Sequence, residues 1–138
     1  MDQKTYKVSS ERAIENLIAQ YSHFLYEGDF KGVAEMFRYG KIISGEVADE
    51  GIVDVERHLH ENLPILKDGT PQKAHITSNT LLKISDDGNL ATASSYVTIF
   101  QQDTQGGFPL QATMIRRYED SFTRIEGVWY FLRSATLP

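Results

Sequence analysis

The sequence predicts an α+β fold: three N-terminal helices packed on a curved antiparallel sheet, a cone-like α+β barrel that encloses a pocket. Three observations carry this. Apolar residues recur every third or fourth position up to Leu63. After Gln72 the period drops to two, the spacing of strands. The last third, from Arg117 to Phe131, reads as a long strand, a tight Glu126-Gly127 turn and a second strand that holds the only tryptophan, Trp129.

Ser9-Ser10-Glu11 supplies hydroxyls and an acid for the start of the first helix. Ala13, Ile14, Leu17, Ile18, Tyr21, Phe24 and Leu25 form its apolar face, and Gly28 stops it. Asp29 caps a second, short helix with Val33, Met36 and Phe37 inward. Between Gly40 and Gly45, Ile42-Ile43 is a short strand candidate. Val55, Leu59 and Leu63 predict a third helix over 51–66, ended or kinked at Pro64, which has no backbone donor.

Strands follow. Thr80, Leu82 and Ile84 alternate with Asn79, Leu81 and Lys83. His75, Thr77 and Asn79 are expected on one face, with Ile76, Ser78 and Thr80 on the other. Asp86-Asp87-Gly88-Asn89 turns into a strand over Leu90–Gln102. Thr104-Gln105-Gly106-Gly107 turns into one over Phe108–Thr123, and Val128–Thr136 closes a four-strand meander. Long twisted strands curl, which leaves a cavity at one end beneath the helices.

At 138 residues the chain is one domain over its whole length, and 41% hydrophobic with 24% charged residues is ordinary globular composition. Net charge is −5 with no basic stripe, so nucleic acid is not an expected partner. The absence of cysteine excludes disulfides and thiolate chemistry. No apolar run approaches the ~20 residues of a membrane span. The first seven residues have no apolar core of the kind a secretion signal needs, so a cytoplasmic location is expected.

His75 carries the strongest chemical signal, because a half-dry imidazole exchanges protons near neutral pH. From the residues alone it is either such a group or a histidine tied to a neighbouring backbone group. Tyr21 and Tyr26 either orient a substrate oxygen or pack in the core; five residues apart, they project ~140° from one another on a helix. His58 and His60 do not share a helical face, so no metal site is expected, and an Asp54–His58 surface contact explains His58. Asp29 is a cap. Arg116, Tyr118 and Asp120 share one strand face and Arg117 and Glu119 the other, an arginine–acid ladder of structural type. No phosphate loop, dinucleotide fingerprint or serine elbow occurs, and no cofactor is expected.

Several segments resemble the SnoaL-like branch of the nuclear transport factor 2-like superfamily. They are Ile14–Tyr21, Glu27-Gly28-Asp29-Phe30, His75–Asn79, Ala91–Tyr96, Arg117–Phe122 and Gly127–Phe131, spread over residues 9 to 134. That superfamily includes relatives of ketosteroid isomerase, scytalone dehydratase, bile-acid dehydratase and hexachlorocyclohexane dehydrochlorinase. The resemblance implies the pocket fold. In its dehydratase-like members a strand histidine is the general base, oriented by an aspartate five residues after a helix tyrosine. His75 and Tyr21 match the first and last of these; Tyr26 stands where the aspartate is expected. An arginine often lies five residues after the tryptophan; Ser134 stands there, with Arg133 one position earlier.

Two function classes follow. One is a cofactor-free dehydratase or isomerase, with His75 as base and Tyr26 or Tyr21 donating to the oxygen that becomes negative. The other is a module that binds a small apolar or aromatic molecule, or a partner, without chemistry, because the dyad aspartate is replaced. Phe37, Tyr96, Met114 and Trp129 are expected in the pocket wall. β-branched residues on the outer sheet face point to a homodimer or trimer.

Overall fold

In the computed structural model, residues 9–66, 73–102 and 107–137 are described. Helix α1 spans Ser10–Glu27. The Ser9 hydroxyl accepts from the Arg12 amide at 3.2 Å, which satisfies one of the donors a helix start leaves open. Gly28, at φ 74°, closes the helix in the left-handed conformation that glycine adopts without strain. Asp29 accepts from the Gly32 amide at 2.8 Å and starts α2, Phe30–Met36.

A hairpin follows: β1, Lys41–Ser44, and β2, Val47–Glu50, joined through Gly45. Helix α3 runs Gly51–Asn62, one turn shorter than the sequence predicts. Leu63 already has extended dihedrals, the conformation favoured before Pro64. Then come β3, Lys73–Ile84; β4, Leu90–Gln101; β5, Gln111–Ile125; and β6, Val128–Leu137. The turn expected over Thr104–Gly107 lies mostly outside the described residues.

The expected meander β3–β4–β5–β6 is present, and β1 and β2 extend it into a six-stranded sheet of order β2-β1-β6-β5-β4-β3. The pairing of β1 with β6 is parallel, so the sheet is mixed rather than wholly antiparallel. It stays open, with β2 and β3 as edges.

Register shifts interrupt β3/β4 at Ser78–Leu81, β4/β5 at Ile99–Phe100 and β5/β6 at Ser121–Phe122. Such bulges bend strands and change which residues face inward. Asn79, at φ 55°, lies in the first. Beyond it Thr80 joins His75 and Thr77 on the inner face while Asn79 turns outward, the reverse of the regular alternation expected.

The core packs α1 and α2 against the concave sheet face. Phe37 stacks on Phe131 with centroids 4.7 Å apart, and Phe122 lies 4.8 Å from the same ring. Gly40 brings its backbone against this layer; a Cβ there would collide with the Phe131 carbonyl. Ile14, Val33 and Val55 are fully buried around it.

Candidate functional site

The aromatic layer closes one end of the cone. Toward the other end, α1 and the strands part and leave space. The innermost part is about 20 Å³ and is walled by Tyr21 of α1, His75 and Thr77 of β3, Ser95 of β4, Tyr118 and Asp120 of β5 and Ser134 of β6. It has room for about one water molecule. Tyr21, His75, Tyr118 and Ser134 also wall an adjoining chamber of about 110 Å³, which reaches β1 and α3. Two open clefts of about 340 and 330 Å³ between α1 and the start of β3 lead to His75 from outside.

Each polar residue is there for a local reason. Tyr21 is on the buried stripe of α1, with its ring 5.8 Å from Phe131 and 6.3 Å from Phe37, and it lines both inner spaces. Tyr118 and Asp120 are two apart on β5 and share its inner face. Ser134 faces inward because of the β5/β6 bulge. Phe131 is inward, Leu132 and Arg133 are both outward and exposed, and the alternation resumes with Ser134. The bulge therefore sends Arg133 to the outer face and brings Ser134 into the site, where its hydroxyl donates to Asp120.

The electrostatics follow from burial. Asp120 is 8% exposed. Desolvation disfavours its charge and Glu119 adds repulsion, while the Ser134 hydrogen bond opposes both; the carboxyl is pushed up to about 7. Burial, and secondarily Lys73, lowers the His75 imidazole below its ordinary 6.5, so it is neutral at pH 7. Tyr21 is raised far above the usual phenol range by burial, then by Tyr118 and Asp120. Tyr118 is also raised, chiefly by burial, against an opposing hydrogen bond with Thr136. The site thus holds a neutral base beside two neutral phenols and a carboxyl that is neutral below about pH 7.

Two buried atoms in this wall, His75 Nδ1 and Asp120 Oδ1, have no hydrogen-bond partner among the described residues. Leaving such groups unpaired costs roughly 1–3 kcal/mol each, so each calls for an explanation. A ligand, or a water that a ligand displaces, is the simplest one.

The structure brings together Tyr21 and His75. Tyr26 does not join them inside: it is 59% exposed and forms part of the outer cleft that also touches His75. Phe37 and Trp129 are buried in the core cluster, the former in the aromatic stack. Tyr96 alternates with inward Ser95 and Val97 and so lies on the outer face, 45% exposed. Met114 shares the face of Tyr118 and Asp120 but sits far along the strand and is 39% exposed. Asp120, Tyr118 and Ser134 are the residues that sequence reasoning passed over. The signal was present for two of them, since the shared face of Arg116, Tyr118 and Asp120 was legible.

Among the described residues no group of three or more His, Asp or Glu side chains could hold a metal. His60 packs edge-on against Phe30 at 5.0 Å. No helix among the described residues is long and apolar enough to cross a membrane. The expected Asp54–His58 contact does not form: Asp54 pairs with Arg57 at 3.0 Å, and His58 with Asp49 at 2.8 Å. The rival partner for His58 lies on β2, a strand the sequence did not announce.

The profile of the SnoaL-like domain family matches residues 7–135. Among solved structures, Aln2 from a Streptomyces species is similar at a TM-score of 0.75 and 19% identity, covering 91% of this chain and 87% of that one. An NTF2-like protein with a cystatin-like fold from Novosphingobium aromaticivorans gives 0.75 and 20%, covering 92% and 80%. A scytalone dehydratase candidate from the same species gives 0.72 and 19%, covering 93% and 84%. At these identities the structures testify to the fold. No curated protein sequence matches the chain.

Proposed function

The chain belongs to the SnoaL-like domain family, and from that premise we propose that it holds a small apolar or aromatic molecule in the cavity and moves a proton on it without a cofactor. The observation that carries this reading is the pair of buried atoms without a partner among the described residues, His75 Nδ1 and Asp120 Oδ1, in the wall of the small space that adjoins the 110 Å³ chamber.

In this reading neutral His75 takes a proton from the carbon next to a carbonyl. The electron pair left behind moves onto the carbonyl oxygen in an isomerase, or expels a neighbouring leaving group in a dehydratase. Tyr21 and protonated Asp120 donate hydrogen bonds to the oxygen that becomes negative. The raised phenol of Tyr21 stays neutral throughout, and Asp120 is a neutral donor below about pH 7. His75 then returns its proton to a second carbon or to the leaving group, so nothing is consumed.

A second reading has its own observation. No carboxylate orients His75, whose Nδ1 is bare among the described residues, and Tyr26 occupies the position of the orienting aspartate. A binding module without chemistry has no use for that acid. Small cyclic ketones in heavy water separate the two readings. Deuterium entering beside the carbonyl, faster with protein than without and lost in His75→Ala, supports the enzyme. Ligand line broadening without exchange supports the module and overturns the enzyme.

The outer sheet face carries exposed Ile76, Leu81, Tyr96, Ile115 and Leu132. An apolar surface of that kind is the expected place for a second copy of the chain. Light scattering at high micromolar concentration should therefore give at least a dimer mass; a monomer mass refutes it.

A further inference from the structure

Asp49 of β2 and His58 of α3 form a pair with no part in the chemistry above. His58 Nδ1 lies 2.8 Å from Asp49 Oδ2, and the side chains are only 20% and 15% exposed. That oxygen is buried and makes no aligned hydrogen bond among the described residues, so the adjacent ring nitrogen is the group available to it. At 2.8 Å the two atoms are close enough for a hydrogen bond once the ring turns, and such a bond would put the hydrogen on Nδ1. Asn62 pulls the other way only weakly, since its amide nitrogen would need Nδ1 to accept. Its Nδ2 donates to the His58 carbonyl at 2.8 Å, and its 3.4 Å approach to Nδ1 is too long to compete. With Nδ1 protonated, Nε2 of the neutral ring is an acceptor. No hydrogen bond to Nε2 occurs among the described residues.

His58 is part of the wall of the 110 Å³ chamber, together with His75, Tyr21 and Tyr118. Leu25, Ile42, Leu59 and Leu63 supply apolar surface between these polar groups. At about 110 Å³ the chamber is smaller than the ~150 Å³ apolar cavity that takes up benzene, but it is partly open and about half polar, so it suits the polar edge of a small ring. The chamber thus offers a seat of mixed polarity, with His75 in one part of its wall and His58 in another.

We propose that the His58–Asp49 pair is a ligand-orienting site: His58 Nε2 accepts a hydrogen bond from a hydroxyl on a small ring compound, at the end of the ligand away from His75. Asp49 acts through His58, as a positioning residue that selects the tautomer. The ligand class is accordingly a compact hydroxyl-bearing ring. This deepens the pocket reading and rests on it. A structural tie between β2 and α3 is the competing role for the same pair, and it makes no demand on the tautomer or on a ligand hydroxyl.

The test uses phenol and toluene as probes, titrated calorimetrically into the wild-type chain, His58→Phe and Asp49→Asn. The ratio of the two affinities cancels the apolar contribution and any general loosening of the fold. It should fall about two- to tenfold in His58→Phe, the worth of one ordinary hydrogen bond. It should fall also in Asp49→Asn, where the amide can donate to Nδ1 and leave the proton on Nε2. Long-range nitrogen NMR of the ring should show Nδ1–H in the wild type and Nε2–H in that variant. A ratio unchanged in both variants overturns the inference and leaves the pocket reading intact. A ratio that moves only in His58→Phe overturns the part given to Asp49. If neither probe binds the wild-type chain at millimolar concentration, the pocket reading falls and takes this inference with it.

Discussion

His75 and His58 belong to the wall of one chamber and are provided for in opposite ways. His58 has a carboxylate at 2.8 Å and an amide beside it. His75 has neither, and its Nδ1 is buried without a partner among the described residues. A paired histidine holds one tautomer and serves as a fixed hydrogen-bonding post. A bare one keeps both states within reach, with the neutral form favoured by burial. Both sides hold a buried atom without an aligned hydrogen bond among the described residues, His75 Nδ1 on one and Asp49 Oδ2 on the other, but only the second lies 2.8 Å from a group that can share a proton with it.

The largest expected effect breaks or keeps that contrast at once. If His75 is the base, His75→Ala lowers deuterium exchange of a responsive ketone by ~10²–10⁴-fold, the usual contribution of a positioned base. His58→Ala should act on ketone affinity instead and leave exchange at saturation within about threefold, far below that range. Exchange kinetics over a range of ketone concentration for both variants decide it. The reverse pattern would move the chemistry to His58 and leave His75 as a wall residue.

The parts of this contrast differ in how far the sequence announced them. His75 was singled out because its strand segment resembles a known motif; the residues alone left a histidine tied to the backbone open as well, and what the structure adds is its place in the cavity wall. The helices and the meander were legible because each buries one face, and burial leaves a period. The Val47–Glu50 strand was not: it is four residues long, mostly exposed, and has no apolar alternation to detect. With it went Asp49, and hence the partner of His58. The bulges were also silent. One extra residue changes the inward set without altering composition, and so Thr80 and Ser134 face the cavity where regular alternation puts Asn79 and Arg133. Asp120 was on the right face in the sequence reading, but an arginine–acid ladder and a buried carboxyl look alike until depth is known.

The next effect concerns pH and sharpens the His75 side of the comparison. Asp120 in the folded chain is raised from 3.8 to about 7. Its neutral form suits the fold, so its contribution to stability is full below the unfolded value and is lost as pH rises through about 7. His75 is lowered, so its contribution is present above 6.5 and is lost as pH falls through its depressed value. Asp120→Asn should therefore gain stability over the wild type as pH rises from 5 to 8. Each pH unit between the unfolded and folded values of the carboxyl is worth about 1.4 kcal/mol, so the gain is on the order of a few kcal/mol. Thermal melts across that range measure it; a constant difference between the two proteins would mean Asp120 is ionised in the fold. Exchange activity should be bell-shaped, with an acid limb below 6.5 from His75 and an alkaline limb near 7 from Asp120. In Asp120→Asn the alkaline limb should disappear, since an amide remains a neutral donor.

The smallest effect belongs to Tyr26, and its smallness is the point. Tyr26 is 59% exposed and meets His75 only across the outer cleft of about 330 Å³. Any hydrogen bond it offers competes with water, so Tyr26→Phe should change exchange by less than about threefold, the low end of what an ordinary net hydrogen bond is worth. Tyr26→Asp is the sharper variant, because it restores a carboxylate at the position that the resemblance assigns to the orienting acid. An exposed carboxylate is screened and weakly coupled. It should nonetheless raise the exchange rate modestly, less than about tenfold, and move the acid limb of His75 upward by under about one unit. Both follow from the sign of the interaction, since a nearby negative charge favours the imidazolium and strengthens the base. A hundredfold increase would mean that residue 26 reaches His75 Nδ1 directly. The bare histidine would then be one substitution away from the arrangement that His58 already has, and the contrast between the two would rest on one missing acid rather than on two differently built sides of a chamber.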